Sequence, residues 1–281
     1  MEINNKVEVS KCPICKFNAY EYFRHKDVAD KELKLFKCIN CGHGHYGHKY
    51  SKNELNSIYE AEYASGYIED SELSKLRRIQ YKEDVKILKK YIDYDKQISV
   101  LDYGCSNGGF LKAMPKFWRK YGFEINPTHK NYVKMMHSEI KLVDDIGDIN
   151  KSLDLIVMRG VIEHIQVFDK VIDNLCKKIK KGGGLFITAT PNFESICSIL
   201  YKEQWSQIKA PEHIHHFTIA SLAILLMKHQ LVLKNYDFQY FKTPYENWSR
   251  DKKIFLENNN KRNKITHAFP GNMITAYFEK N

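Results

Sequence analysis

The sequence predicts an α/β protein. Its main body is an open, seven-stranded, mostly parallel sheet with helices on both faces, and a small cysteine-bearing module precedes it. Three observations carry this expectation. From Ile98 onward, short apolar runs alternate with amphipathic stretches, the pattern of strand–helix–strand crossovers. The first of these runs exits into glycines, at Gly104, Gly108 and Gly109. Four of the seven cysteines stand as two CxxC pairs within residues 1–50.

In chain order, residues 1–50 are short segments punctuated by Cys, Gly and His and form the module. Residues 51–97 form a mainly helical connector. Within it Leu73, Leu76, Ile79, Val85, Leu88 and Ile92 recur at three- and four-residue steps, which predicts an amphipathic helix over 71–92. The domain of residues 98–281 then begins with a buried strand at 98–104. Further strands are predicted at the end of 116–126, within 140–147, and over 153–160 and 182–192, with the clearest intervening helix at 164–180. Parallel strands joined this way need right-handed crossovers that cover both faces. A helix follows at 218–231 with Thr218 as N-cap, then a strand at 232–241 and a last strand near 273–279. The segment 257–264 is the most loop-like, and no internal repeat is present.

Composition excludes several classes. At 281 residues with 43% apolar and 28% charged, the chain can bury a full core and is neither fibrous nor disordered. No run of about 18 apolar residues exists, so no membrane-spanning helix is expected, and the N-terminus has no apolar signal core. A cytoplasmic location is the expectation. The net charge of +10 is spread along the chain rather than gathered into a basic block. That spread argues against a dedicated nucleic-acid binder and suits a phosphate-bearing small substrate, or no charged partner, equally well.

The strand exit VLDYGCSNGGFL (100–111) carries the first functional signal. Glycines where a strand turns into a helix let backbone N–H groups approach a polar ligand closely. NAD enzymes, kinases and methyltransferases all use such a turn, and no GxxxxGK[ST] phosphate loop is present.

Its context narrows the choice. Asp102 followed by Gly104-Cys105-Ser106-Asn107-Gly108 resembles motif I of the class I S-adenosylmethionine (SAM) methyltransferases, a Rossmann-like family, with Ser106 in place of the middle glycine. Further matches follow. Glu124 ends the second strand, where the family binds the ribose hydroxyls, and Asp145-Ile146 follows the third, where it holds adenine. Arg159-Gly160-Val161-Ile162-Glu163-His164 is similar to the family's "LEH" segment, and Gly182–Gly184 precede the fifth strand. Pro211 to Phe217 resembles the "P-x-H-x-x-x-F" element of a large bacterial subfamily. The resemblance covers roughly 98–241 plus the last strand. It implies a SAM site built from Asp102, Gly104, Cys105, Ser106, Gly108, Glu124, Asp145, Ile146 and Arg159. Asp144 and Asp148 compete with Asp145 for its role, and Cys105 reads as a small filler rather than a reactive thiol.

Cys12/Cys15 and Cys38/Cys41 are separated by 22 residues. In a reducing compartment two such knuckles read as four thiolates converging on one Zn²⁺, a closed and therefore structural site. His43, His45 and His48 lie just downstream, as substitute ligands or as surface or substrate-facing residues. A CxxC…CxxC module ahead of a SAM domain is similar to methyltransferases of bacterial sugar and surface-polysaccharide pathways.

Methyl transfer to a hydroxyl needs an aligned acceptor and a base, and histidine is the usual base near neutral pH. The candidates are His164, after the fourth strand, and His213, His215 and His216, between the fifth strand and the helix at 218. Each also has a structural reading, at a helix start or in a loop packed among aromatics. Phe217 reads as core, and Tyr201 and Trp205 as aromatics that stack on a sugar or base. The expected activity is O-methylation of a sugar or sugar nucleotide, such as a heptose, in capsule or surface-polysaccharide synthesis. An RNA or DNA methyltransferase is the first alternative, but the fourth strand ends in MRGVIEH, not in the [DN]-P-P-[YF] element that aims a base amine. A sugar C-methyltransferase is a second alternative. Relatives of that kind carry a further C-terminal domain, whereas this chain ends about where its last predicted strand does. A binding module that has lost its cofactor is the third, and the intact Gly104, Gly108 and Glu124 argue against it.

Overall fold

A computed structural model describes residues 8–27, 29–51, 53–55, 72–257 and 265–281. Most of the loop-like segment 257–264 and part of the connector at 56–71 lie outside the described residues.

Two sheets organise the chain. The larger has seven strands. β5 (Ser99–Tyr103), β6 (Arg119–Phe123), β7 (Ile140–Val143), β8 (Leu153–Arg159), β9 (Ile179–Pro191), β11 (Leu231–Asp237) and β12 (Met273–Lys280) stand in the order β11-β12-β9-β8-β5-β6-β7. Only β12 runs against its neighbours, and the order reverses direction at β5. A ligand crevice forms at such a switch point, outside the carboxyl ends of the strands.

Alternating residues of each strand face opposite layers. Val100, Leu155 and Val157 pack against α1 (Glu72–Leu88), α2 (Gly109–Ala113) and α3 (Pro127–Met136). Leu101, Ile156 and Met158 pack against α4 (Phe168–Lys178) and α6 (Ile219–Met227). Thr218 caps α6 as its sequence predicts, its side chain accepting from the Ser221 N–H. The buried stripe of α1 differs from the expected one. Gln80, Tyr81, Asp84, Val85 and Leu88 are buried, while Leu73 and Ile79 are 44% and 48% exposed. The difference arises because α1 lies over polar groups as well as over the sheet. The short α5 (Ile196–Tyr201) follows β9, and α7 (Trp248–Glu257) lies in a stretch whose sequence is polar.

The smaller sheet is the N-terminal one, with strands β1 (Val9–Lys11), β2 (Asn18–Lys26), β3 (Glu32–Cys38) and β4 (Gly44–Tyr46). Its fifth strand comes from far along the chain. β10 (His215–His216) pairs antiparallel with β4, His215 opposite His45 and His216 opposite Gly44. Thr218 Oγ1 donates to the Cys41 carbonyl at 2.7 Å, and Gln166 and Tyr50 exchange two hydrogen bonds. Cys12, Ile14, Cys38 and Cys41 share one apolar cluster with Phe217 and Leu222. The cysteine module and the large sheet are therefore joined through a common core.

Candidate active site

A cavity of about 580 Å³ opens at the carboxyl edge of β5, β6 and β8, a size ordinary for a small-molecule site. β5 delivers Asp102, which is fully buried, and among the described residues its Oδ1 has no hydrogen-bond partner. Burial pushes this carboxyl up to about 7, with Arg159 pulling it down and Glu124 pushing it further up. Gly104 follows in the left-handed region at φ 86°, where an added Cβ would stand 2.6 Å from Val161 Cγ2. Only glycine meets both demands.

Ser106, in the place of the family's middle glycine, also has a positive φ of 49°. Glu124 holds this turn in place. Its Oε2 accepts from the Ser106 N–H at 2.8 Å, and its Oε1 accepts from the N–H groups of Ile125 and Asn126 at 2.7 and 2.8 Å. A carboxylate with three backbone donors keeps its orientation toward the cavity wall, where Glu124 stands. Cys105 lines the cavity as a buried thiol whose pKa burial pushes up, consistent with a filler. Gly108 is outside the cavity lining and supplies the left-handed turn, φ 77°, that starts α2.

Arg159 lines the cavity and donates its Nε–H to Asp84 at 2.8 Å, with its guanidinium over the Tyr81 ring at 4.9 Å. Asp84 also accepts from Gln80 and Gln239. Arg159 therefore ties β8 to α1 at the cavity wall. Asp145 and Ile146 do not line the cavity. Asp145 is exposed and caps a short 3₁₀ turn, its Oδ1 accepting from the Gly147 N–H. The nearby cavity wall is instead the stacked pair Tyr103 and Phe123, with ring centroids 4.6 Å apart.

The four candidate bases separate into two pairs. His164 and His213 both line the cavity, edge to face at 4.8 Å. His164 Nδ1–H donates to the Glu212 carbonyl at 2.9 Å, and His213 Nδ1–H to the Gln207 carbonyl at 2.8 Å, which leaves the lone pair of each ring on Nε2. Burial lowers both, His164 to about 4 and His213 well below its ordinary value, so both imidazoles are neutral near pH 7. His215 and His216 lie elsewhere, in β10. His215 packs on His43, Phe168 and Phe217, and His216 on Tyr46 and Phe193. Strand pairing with β4 holds both in the smaller sheet, pointing to opposite faces of it, and neither lines the cavity.

Other expected contacts are also displaced. Tyr201 and Trp205 are buried in an apolar cluster with Phe193 and Leu35, where neither can stack on a substrate. His43 and His45 are buried at the seam rather than surface- or substrate-facing, and His48 packs on Tyr50. Phe217 is core, as expected. Several residues beyond the expected set also line the cavity, Glu163 and Tyr81 among them. Glu163, inside the "LEH" segment, is buried and accepts from Thr190 Oγ1 at 3.1 Å. Tyr81 comes from a helix ahead of the first glycine turn, where no motif marks it.

The four N-terminal thiols converge. Cys12 Sγ and Cys41 Sγ are 3.6 Å apart, Cys15 and Cys38 3.4 Å, and Cys15 and Cys41 3.6 Å. These separations are far too long for disulfides and close to the ~3.8 Å edge of a tetrahedron with Zn–S bonds of ~2.3 Å. The Asn40 N–H points at Cys38 Sγ at 3.4 Å. A hydrogen bond shared between the two sulfurs lowers the Cys12 thiol and raises the Cys41 thiol, one sulfur accepting as thiolate and the other donating. The donor set fits Zn²⁺.

Comparison with known proteins agrees with this architecture. A family profile described as a methyltransferase domain matches residues 74–234. No curated protein matches the chain. Among solved structures, the complex of the Haloferax volcanii Trm112 methyltransferase activator with a methyltransferase aligns with a TM-score of 0.58. Its identity is 12%, over 82% of this chain and 99% of that one. A SAM-dependent methyltransferase from Thermotoga maritima aligns with a TM-score of 0.51 and 12% identity, over 81% and 99%. The plantazolicin methyltransferase BpumL, solved with S-adenosylhomocysteine (SAH), aligns at 0.50 and 16%, over 82% and 90%. At such identities the likeness is one of fold. With more than half of its length matched by the profile, the chain belongs to the methyltransferase domain family.

Proposed function

We propose that the chain transfers a methyl group from SAM to a hydroxyl of a sugar or sugar nucleotide. The observation that carries this reading is the facing of His164 and His213 in the same cavity as Asp102 and Gly104. Two neutral imidazoles with Nε2 lone pairs suit a hydroxyl acceptor, which must lose a proton. When bound, SAM supplies an electrophilic methyl on a sulfonium.

The chain's own groups complete the site. The Asp102 carboxylate, buried with an unpartnered oxygen, receives an ammonium. Glu124, oriented by three backbone donors, receives ribose hydroxyls. Tyr103 and Phe123 form a flat wall for adenine. The acceptor oxygen forms its bond to carbon as the carbon–sulfur bond breaks, the electron pair stays on sulfur, and the hydroxyl proton passes to Nε2 of His164 or His213. Arg77 and Lys209 on the cavity wall favour an acceptor that carries phosphate. Zn²⁺ on Cys12, Cys15, Cys38 and Cys41 holds the N-terminal sheet and takes no part in the transfer, since four thiolates leave no open position.

The test is methyl transfer to a panel of sugar nucleotides and to bulk RNA. A positioned base is worth ~10²–10⁴ in rate, so His164→Ala or His213→Ala is expected to lower turnover on a sugar by about that factor with SAM affinity kept. Near-wild-type turnover in both variants contradicts the base. Methylation of RNA and of no sugar contradicts the acceptor.

A further inference from the structure

Glu163, His164 and His213 come from two separate segments, and their ligand atoms all lie within 4.8 Å of one another at the cavity wall. We infer that these three residues form a binding site for one divalent first-row metal ion, distinct from the cysteine site and open to the cavity. The inference rests on the hydroxyl-transfer reading above for its role, though not for its existence.

Three features point to an ion rather than to packing alone. First, the donor set is two imidazoles and one carboxylate, the facial set that binds first-row divalent ions and keeps other positions open. Second, each donor has the supporting partner that metal ligands use. His164 Nδ1–H donates to the Glu212 carbonyl, His213 Nδ1–H to the Gln207 carbonyl, and Thr190 Oγ1–H to Glu163 Oε2. Those bonds fix both tautomers with the lone pair on Nε2. Third, the three donors are carried by two separate segments to the wall of one cavity, where the Glu163 carboxyl and both rings meet. Donors bonded to one ion at ~2.1 Å stand ~3.0–3.4 Å apart, so small side-chain rotations close the observed set.

The site is built by the fold. Glu163 and His164 sit in the 3₁₀ turn after β8. The Ile214 N–H donates to the Glu163 carbonyl at 2.9 Å, which pins the His213 segment beside that turn. An ion here would occupy both Nε2 lone pairs and face the acceptor part of the cavity. With it bound, the ion in place of the imidazole base would acidify a hydroxyl bound to it, and the proton would leave to solvent water. A hard or borderline ion suits this mixed nitrogen–oxygen set, whereas the four thiolates select Zn²⁺.

The experiment uses the full chain carrying its one equivalent of zinc, titrated with Mn²⁺ and followed by loss of the free-ion paramagnetic resonance signal. Wild type is expected to bind one Mn²⁺. Glu163→Gln and His213→Ala are each expected to bind it about tenfold more weakly or worse, while both remain folded and keep SAH affinity. Failure of wild type to bind either Mn²⁺ or a second equivalent of Zn²⁺ overturns the site. So does equal Mn²⁺ affinity in folded Glu163→Gln and His213→Ala. The wild-type measurement needs no variant and no acceptor. Binding of Mn²⁺ without any sugar methylation leaves the site standing and sinks the acceptor reading; sugar methylation without metal binding does the reverse.

Discussion

Burial raises the Asp102 carboxyl to about 7, so its ionisation is linked to any cation it receives. A bound ammonium favours the carboxylate and lowers its pKa. The free protein must therefore release a proton to bind SAM below pH 7, and affinity should rise with pH by up to about tenfold per unit until it levels near 7. Titration calorimetry at pH 5.5, 6.2 and 7.0 checks this, and Asp102→Asn should bind weakly with a flat profile. A wild-type affinity independent of pH contradicts the assignment of Asp102. Asp102, Gly104 and Glu124 were legible as neighbours at one strand-end cleft because strand exits fix their spacing, and all three line the cavity. Asp145 was placed by analogy along the chain, and its side chain turned out to serve its own loop. Glu163 was hidden because a carboxylate beside a histidine carries no signal until a distant segment brings His213 to it.

At the scale of elements, the strands of the large sheet were read correctly because two-faced burial leaves unbroken apolar runs. β9 starts three residues before its predicted boundary, at Ile179, where a register shift against β8 accommodates the glycines. β10 could not be read. It is two residues long, and it exists only because β4, some 170 residues earlier, offers it an edge. That pairing also removed His215 and His216 from the list of bases. Helix α6, just after it, carries a cap with two tasks, since Thr218 accepts from Ser221 and donates to the Cys41 carbonyl. Thr218→Ala should cost about 1–2 kcal/mol, a fall in melting temperature of about 2–8 °C. A melting temperature within error of wild type counts against this cap as a tie between the sheets.

For the whole molecule, the module boundary near residue 50 is a boundary in sequence only. The cysteine cluster, α6 and the large sheet share one apolar core. Site formation and local folding are linked in structural zinc sites. Removing zinc, or Cys38→Ser, should therefore lower the melting temperature of the entire chain rather than free residues 1–50 alone. Elemental analysis should find one zinc per chain. Four freely titratable thiols in the native protein, with zinc well below one equivalent, contradict the site.

The claim on which the rest depends is that the cavity at the carboxyl edge of β5 and β6 binds SAM through Gly104 and its neighbours. Calorimetric titration of SAH into the full chain tests it most directly, with wild type and Gly104→Val compared at pH 7.5 and circular dichroism confirming that both are folded. One-site binding by wild type and none by Gly104→Val is the expected result, since a side chain at Gly104 must crowd Val161 at the cavity wall. No heat from wild type, or an unchanged affinity in the folded variant, contradicts it.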